Sequence, residues 1–272
     1  MKTAVITGGN SGIGKATAIA LSTLGYRVII HGRDAIKTAQ AVTEINAHSR
    51  NKNVDAVTGD MSTIAGMKKV ASEIQKLTDI IDVLVLSTGV IYSKRVTTSD
   101  GLDTPFVTQY LCRFAMVQEL FPLLNKAESA RIVHVGAPTM KKAQVFFDDL
   151  ALKNNFTMMT SMGQAMLSCH LFVQEFSKRH PDNKITMNIM HVGISKTGIA
   201  REISWLFRTM INTFGTSPEK ACRNAVFLAD NKAANFSGYF LPTPGKPEKK
   251  EKISFDPKLA EKLWETSEKL IQ

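Results

Sequence analysis

The chain has 272 residues, 44% of them hydrophobic and 21% charged, and its 34 Lys and Arg against 24 Asp and Glu leave a net charge of +10. This length and composition are typical of a globular protein and exclude disordered and fibrous classes. Three widely spaced cysteines, Cys112, Cys169 and Cys222, support neither a disulfide framework nor a zinc motif.

Cysteine usage and the N-terminal residues indicate where the protein resides. Unpaired cysteines favour the cytoplasm or another reducing compartment. Residues 1–7 run into a glycine-rich loop too soon for a secretory signal. No uncharged apolar run reaches the roughly 20 residues of a membrane-spanning helix. We therefore expect a protein with no transmembrane segment.

Seven short apolar runs are predicted to be β-strands, and segments of helical period separate them. The predicted strands are Thr3–Thr7, Arg27–His31, Val54–Gly59, Val83–Ser87, Arg131–Val135, Thr186–His191 and Tyr239–Leu241. This alternation is typical of repeated βαβ units, whose strands form a parallel sheet. We therefore predict one α/β domain over residues 1–272, a doubly wound Rossmann-type fold with a seven-stranded parallel sheet flanked by helices.

Several helix boundaries can be predicted from local signals. The first helix follows the glycine-rich loop and is expected to stop at Gly25. Ser217 and Asp256 each precede a proline, and this pairing of an N-cap residue with proline predicts that a helix begins there. Residues 244–272 are expected to form a C-terminal tail and helix.

The strongest functional signal is the loop Thr7–Gly14, which reads TGGNSGIG and lies between the first strand and the first helix. Gly8 would permit a tight turn, Gly12 would let the backbone approach a pyrophosphate, and Gly14 would let the helix pack closely on the sheet. A diphosphate would then bind at a helix N-terminus, where free N–H groups and the dipole favour an anion. The loop predicts a dinucleotide site.

The end of the second strand bears on the choice between NAD and NADP. An acidic residue there would bind the ribose 2′-hydroxyl, whereas Gly32 followed by Arg33 offers room and a guanidinium for a 2′-phosphate. The sequence therefore favours NADP(H). Asp34 leaves an alternative open, because it could pair with Arg33 or cap the following helix. Lys15 is a second candidate for contact with the phosphates.

These residues resemble the short-chain dehydrogenase/reductase family, and within it the retinol-dehydrogenase-like branch. Thr7–Gly14 matches the family pattern TGxxxGIG, and Gly59–Ser62 is similar to its Asp-Leu-Ser segment. Further similar segments are Asp100–Leu102, Phe147–Leu150, His191–Gly193, Thr216–Glu219 and Leu263–Glu265. The resemblance covers essentially the whole chain.

The resemblance implies roles for individual cofactor-binding residues. Asp60 would hold the adenine amino group, Gly89 would lie in the loop beneath the adenosine ribose, and Thr197 would contact the nicotinamide end. The full set of expected cofactor-binding residues is Gly8, Asn10, Ser11, Gly12, Ile13, Gly14, Arg33, Asp60, Met61, Gly89 and Thr197.

The resemblance breaks at the catalytic positions. In the family a Tyr acts as acid/base, a Lys one turn later lowers its pKa, a Ser orients the carbonyl and an Asn supports a proton relay. Matching the segments puts Met162 at the Tyr, Met166 at the Lys, Gly136 and Ala137 at the serines, and Gln109 at the Asn. Residues 154–177 contain neither tyrosine nor lysine, so a shift of register does not restore the pair. We therefore assign no catalytic residue.

Replacement residues remain open alternatives, although packing or solvent exposure is the simpler interpretation of each. The candidates are His134, Ser161, Cys169, His170, Tyr92 and Lys94. A cluster of methionines around Met162 could suggest a soft metal, but its helical spacing favours core packing, and no metal site is expected.

Residues 193–216 lie where the family carries its substrate lid. Within them, Ile203–Ile211 combines large apolar side chains with arginine, which suits a hydrophobic ligand, a partner surface or a membrane interface. A lid that only covers the cleft is an equally open alternative.

Three functions can be compared. The first is an NADP(H)-binding homologue that has lost the standard catalysis and serves as a binding, structural or regulatory protein. The second is an NADP(H)-dependent oxidoreductase or isomerase that acts on a small hydrophobic carbonyl or enone by an unusual mechanism. The third is a nucleic-acid or anionic-surface binder, which the dispersed basic residues disfavour. By resemblance, pairing through the helices that carry Gln109 and Met162 would give a homo-oligomer.

Overall fold

The central element is an eight-stranded sheet with the spatial order β3-β2-β1-β4-β5-β6-β7-β8. The structure is a computed structural model that describes residues 1–193 and 216–272. Its strands are β1 (Thr3–Thr7), β2 (Arg27–Gly32), β3 (Val54–Thr58), β4 (Val83–Leu86), β5 (Ala130–Gly136), β6 (Ile185–His191), β7 (Tyr239–Leu241) and β8 (Glu251–Lys252).

All seven predicted strands form and pair in parallel, which confirms the fold class. The predicted strand count was wrong by one. The additional strand β8 pairs antiparallel with β7, with Tyr239 opposite Lys252. Because β8 consists of two exposed charged residues, it has no apolar run from which a sequence pattern could predict it.

Helices cover both faces of the sheet. They are α1 (Gly12–Thr23), α2 (Ala35–His48), α3 (Ile64–Leu77), α4 (Thr104–Phe106), α5 (Cys112–Lys126), α6 (Met158–Arg179), α7 (Pro218–Ala221), α8 (Arg223–Asp230) and α9 (Pro257–Leu270). A π-helical turn, Val107–Leu111, joins α4 to α5. The predicted N-caps are confirmed, because Ser217 accepts the N–H of Lys220 and Asp256 accepts the N–H of Lys258. Gly25 adopts a φ of +91° just beyond α1.

Two hydrophobic cores lie on opposite faces of the sheet. Residues of α1, α2 and α8 form one core with one face of the strands, and residues of α3, α5, α6 and α9 form the other. The strand order reverses between β1 and β4, so the crevice outside their carboxyl ends is the place where such a fold binds ligands.

The C-terminal helix α9 packs on α6 and on the π-helical turn. The hydroxyl groups of Tyr110 and Ser267 are 2.5 Å apart and buried. The rings of Phe114 and Phe172 lie 5.1 and 5.7 Å from that of Trp264, and the guanidinium of Arg179 lies 4.5 Å from it. Within the described ranges, no helix has the length and hydropathy needed to cross a membrane.

Candidate functional site

The predicted phosphate loop turns sharply at the carboxyl end of β1. Gly8 has a φ of +66°, and a Cβ there would lie 3.0 Å from the carbonyl oxygen of Ser87, so a side chain is excluded by both strain and contact. A Cβ on Gly14 would collide with the carbonyl of Gly8. Because glycine has no side chain, α1 can begin this close to the loop. Gly12 has a φ of +54°, and Ser11, the N-cap of α1, makes no side-chain capping bond. The loop is therefore lined by backbone at a helix N-terminus, which is the arrangement that binds an anion.

Two contacts hold this loop against the end of β2. Gly9 donates its N–H to the carbonyl of His31 at 2.9 Å, and Asn10 donates its amide to the hydroxyl of Thr38 at 3.1 Å. A Cβ on Gly32 would collide with both Asn10 and Thr38. Glycine at this position is therefore required for the Asn10 side chain to cross the end of β2.

Arg33 is exposed directly after β2, and no ion pair among the described residues involves it. Asp34 caps α2, because its Oδ1 accepts the N–H of Lys37 at 3.0 Å and its Oδ2 lies 3.9 Å from the Lys37 ammonium. Of the two alternatives for Asp34, the structure shows the cap and not a pair with Arg33. The Arg33 guanidinium is consequently available to a ligand.

Lys15, the second candidate for contact with the phosphates, has another partner in the structure. Its ammonium is 2.5 Å from Glu44 on α2, so it pairs with a neighbouring helix and not with a site in the loop. Periodicity could not reveal this contact, because the two residues are 29 positions apart and meet only when α1 packs beside α2.

The remaining expected cofactor residues that the structure describes lie at the same edge of the sheet. Asp60 is exposed after β3, where its Oδ1 accepts the N–H of Ser62 at 2.9 Å. The side chains of Ile13 and Met61 are only 5% exposed and pack in the two cores, so only their backbone can face a ligand. A Cβ on Gly89 would lie 2.9 Å from the side chain of Gln109. Thr197, with most of the expected lid, lies outside the described residues.

The α6 face beside this edge carries the two methionines. His170 anchors the face, because its Nε2 lies 3.0 Å from the carbonyl oxygen of Ala137, the residue after β5. Met166 is one turn and Met162 two turns earlier on the same face, and both are half-buried. A thioether neither donates a proton nor carries charge, so this part of the face is apolar. Gly136 has no side chain and Ala137 no hydroxyl group.

Most of the alternative acid/base candidates have other partners. Ser161 donates its hydroxyl to Oδ2 of Asp103 at 2.8 Å, and both residues are buried. Cys169 donates its thiol to the carbonyl of Gln109 at 3.1 Å, and burial raises the pKa of that thiol to about 11. Burial also lowers the pKa of His170, against the opposing effect of its bond to Ala137.

His134 is fully buried, and neither of its ring nitrogens has a hydrogen-bond partner among residues 1–193 and 216–272. Burial, with smaller contributions from the nearby Arg113 and His170, holds its pKa well below the ordinary value. Its ring packs edge-on to Phe172 with centroids 5.5 Å apart. His134 is therefore a neutral packing residue.

The other two candidates follow β4, where Tyr92 is half-buried and Lys94 is exposed.

Gln109 lies in the π-helical turn, where its side chain donates to the carbonyl of Val90 at 3.0 Å. Gln109 is buried between the loop after β4 and α6, and its backbone carbonyl accepts a hydrogen bond from the Cys169 thiol. The amide therefore ties the loop after β4 to the start of α5.

Within residues 1–193 and 216–272, no group of three or more His, Cys, Asp or Glu is placed to hold a metal ion.

One residue at this edge was missed by the sequence analysis. Arg113, on α5, is 4% exposed, and its guanidinium donates to the carbonyls of Thr88 at 2.5 Å and Val135 at 2.8 Å. These carbonyls belong to the ends of β4 and β5. The sequence signal that could have identified it is a single arginine in the otherwise apolar segment 111–117. An arginine is rarely buried without a specific role.

Comparison with known proteins gives three kinds of match. The family model described as short chain dehydrogenase matches residues 2–147. Human retinol dehydrogenase 13 is 28% identical over 99% of this chain and 84% of its own length, and human retinol dehydrogenase 14 is 27% identical over 99% and 86%. Human polyprenol dehydrogenase is 24% identical over 98% of the chain and 84% of its own length.

Two solved structures share the fold at low identity. The Pseudomonas aeruginosa RhlG/NADP active-site complex is 22% identical, with a TM-score of 0.71 over 91% of this chain and 96% of the other. A 3-oxoacyl (acyl-carrier-protein) reductase from Agrobacterium tumefaciens with NADP bound is 19% identical, with a TM-score of 0.71 over 90% and 93%.

Proposed function

Because this chain belongs to the short-chain dehydrogenase family and to its retinol-dehydrogenase-like branch, we propose that it is an NADP(H)-binding homologue without the family's standard catalytic mechanism. It would act as a binding, structural or regulatory protein. The observation that carries this proposal is an open phosphate loop at β1 combined with an apolar methionine face on α6, at the positions where the resemblance predicts Tyr and Lys.

Membership of an oxidoreductase family, with NADP-bound structures among those of the same fold, supports binding of a nicotinamide dinucleotide. The loop geometry fits the diphosphate, because Gly8, Gly12 and Gly14 leave bare backbone at the N-terminus of α1. Asn10, Ser11 and the backbone of Ile13 would complete this cradle. Asp60 and the backbone of Met61 would face the adenine, and Gly89 the ribose.

The preference for NADP over NAD rests on Arg33. Its guanidinium is exposed beside Gly32 and pairs with no carboxylate in the described part of the chain, whereas an acidic side chain at this place would repel a 2′-phosphate. Asp34 does not neutralise it, because that carboxylate caps α2 and faces Lys37. An arginine can donate two parallel hydrogen bonds to a phosphate, which gives both affinity and geometric selectivity.

The loss of standard catalysis rests on chemistry at three positions. A bound nicotinamide would supply a hydride or accept one. Met162 can neither give nor take the accompanying proton, Met166 has no charge to lower a neighbouring pKa, and Ala137 has no hydroxyl to orient a carbonyl. Loss of a positioned acid/base group costs about 10² to 10⁴ in rate. Ser161 and Cys169 do not compensate, because they are buried and donate to other partners. His134 does not compensate either, because it is fully buried and packs against Phe172.

Cofactor titration followed by a turnover assay tests the proposal. Tryptophan fluorescence or calorimetry with NADPH and NADH gives the two affinities, and the NADPH complex is then incubated with a panel of aldehydes, ketones and enones. Tighter binding of NADPH without its oxidation is the expected result. Steady turnover at enzyme-like rates would contradict the loss of catalysis, and failure to bind either dinucleotide would contradict the whole proposal.

The second candidate is an oxidoreductase or isomerase that acts on a small hydrophobic carbonyl or enone. The half-buried Tyr92 favours it, because this residue places a phenol after β4 where the loop joins the crevice. Turnover that disappears in Arg33→Ala, without rescue by NADH, would select this function. Loss of that turnover in Tyr92→Phe would identify the acid.

Assembly and location form part of the proposal. Pairing through α5 and α6 would have to include α9, because Trp264 and Ser267 already cover the aromatic residues that face outward there. We expect a single domain with residues 193–216 as a lid. A reducing compartment such as the cytoplasm is consistent with the free thiols of Cys112, Cys169 and Cys222, all of which are buried.

A further inference from the structure

A cation is buried at the carboxyl edge of the sheet, on the half that the phosphate loop does not occupy. Arg113 is 4% exposed and extends from α5 between the ends of β4 and β5. Its two terminal nitrogens donate to the carbonyls of Thr88 and Val135, and its buried Nε has no hydrogen-bond partner among the residues that the structure describes.

This charge has no counter-ion in the described part of the chain. None of the ion pairs among residues 1–193 and 216–272 includes Arg113. Burial has the largest effect on the pKa values of Cys112, His134 and Cys169. The charge of Arg113 has a smaller effect, which lowers each of these three pKa values. Two carbonyl dipoles therefore hold a full positive charge in a poorly solvated place, where its field reaches further than it would in water.

The position of Arg113 connects this field to the nicotinamide half of the site. In a doubly wound sheet with this strand order, one half binds each mononucleotide, and the phosphate loop lies at β1 between the two halves. Arg33 and Asp60 lie on the β2 and β3 side, so the adenosine half belongs there. The nicotinamide half would then lie over β4 and β5, next to the two carbonyls that Arg113 bridges.

We propose that Arg113 makes this site selective for the redox state of its cofactor, so that reduced NADPH binds more tightly than NADP⁺. This inference rests on the proposed function. The two forms carry the same phosphates and differ in ring charge, since the oxidised ring is a cation and the reduced ring is neutral. A buried positive charge repels only the oxidised ring. The apolar methionines of α6 also disfavour a cationic ring, but they are the same in every Arg113 variant, so a change in the ratio on substitution reports the charge of Arg113.

The expected size of the effect follows from Coulomb's law. A unit charge about 10 Å from another, at an effective dielectric constant of about 20, changes an equilibrium about tenfold. We therefore expect the ratio of the Kd for NADP⁺ to the Kd for NADPH to be about ten or more. Because the charge is buried, this ratio should change little between about 50 mM and about 500 mM salt, even though both affinities fall.

Binding measurements on three variants test the assignment. Arg113→Met removes the charge and keeps a long, unbranched side chain. Arg113→Lys keeps the charge but loses the pair of terminal nitrogens that donate to two carbonyls. Arg131→Met is the matched control, because Arg131 is a half-buried arginine at the opposite end of β5 that donates to Thr186 and Asn235. The Kd ratio should fall about tenfold in Arg113→Met and change by less than about twofold in Arg113→Lys and Arg131→Met.

The outcomes separate this inference from the proposed function. If both redox forms bind and the ratio is unchanged in Arg113→Met, or falls equally in Arg131→Met, the role of Arg113 is overturned while NADP(H) binding stands. If neither form binds the wild-type protein, both fail. Should Arg113→Met not fold, the wild-type protein and Arg113→Lys decide, because equal affinities for the two forms in either would overturn the assignment.

Discussion

The Nε2 atom of His170 on α6 lies 3.0 Å from the carbonyl oxygen of Ala137, the residue that follows β5. This contact fixes the rotation of α6 against the carboxyl edge of the sheet. Met166 and Met162 lie one and two turns earlier on the same helix face, and both are half-buried. The helix face that His170 holds against the end of β5 is therefore apolar over its two preceding turns.

Restoring the missing pair is the most direct test of this geometry. The double substitution Met162→Tyr with Met166→Lys should raise NADPH-dependent reduction of an aldehyde by at least about 10², because it returns a proton donor and a cation to the crevice. Initial rates with wild type as reference provide the measurement. The double variant Met158→Tyr with Met159→Lys, placed at the start of the same helix, is the control and should stay at the wild-type level. A double variant that binds NADPH but shows no gain in rate would mean that α6 does not present this face to the cofactor.

Arg33 provides a test of cofactor choice. Arg33→Ala should weaken NADPH binding about ten- to a hundredfold and leave NADH binding nearly unchanged, since charge-assisted bonds to a phosphate contribute about 1.5 to 3 kcal/mol. Calorimetric titration of each dinucleotide gives both numbers. Lys37→Ala removes a neighbouring surface cation and should have a much smaller effect. Equal losses for NADPH and NADH in Arg33→Ala would contradict recognition of the 2′-phosphate.

Gly14→Ala tests the close approach of α1 to the phosphate loop. The added Cβ would collide with the Gly8 carbonyl, so the loop must shift, and we expect loss of detectable dinucleotide binding together with a lower free energy of unfolding. The control is Gly25→Ala at the other end of α1, where a Cβ meets nothing within 4 Å but φ is +91°. That control should cost about 1 to 2 kcal/mol of stability and leave binding intact. Urea unfolding and titration measure the two effects separately.

His134 predicts a dependence of stability on pH. Its pKa in the folded protein is well below 6.5, whereas the unfolded chain titrates near 6.5. Below pH 6.5 the unfolded state therefore binds a proton that the folded state does not. The free energy of unfolding consequently decreases as the pH falls below 6.5. His134→Phe should reduce this loss and add about 1 kcal/mol at neutral pH, because two buried nitrogens without partners are removed. Urea unfolding between pH 5 and 8 measures it, with exposed His48→Gln as control; an unchanged pH profile in His134→Phe would exclude His134 as the cause.

The elements that could be predicted from sequence are those set by neighbours along the chain. Strands with buried apolar runs, the glycine loop, and the caps at Ser217 and Asp256 all depend on contacts within a few residues. The two-residue strand β8 could not be predicted in this way, because its place beside β7 depends on how residues 242–250 return to the sheet. The same reasoning applies to Lys15, whose partner Glu44 belongs to another helix.

The sequence by itself determined the fold class, the phosphate loop and the absence of tyrosine and lysine from residues 154–177, because residue type and local spacing are sufficient for each. Only the tertiary structure decided which polar groups are available. Ser161 is bound to Asp103, 58 residues away, and Arg113 is bound to the carbonyl of Thr88, 25 residues away. Whether a hydroxyl or a charge faces the crevice or the core depends on which distant backbone packs beside it, and no local pattern contains that information.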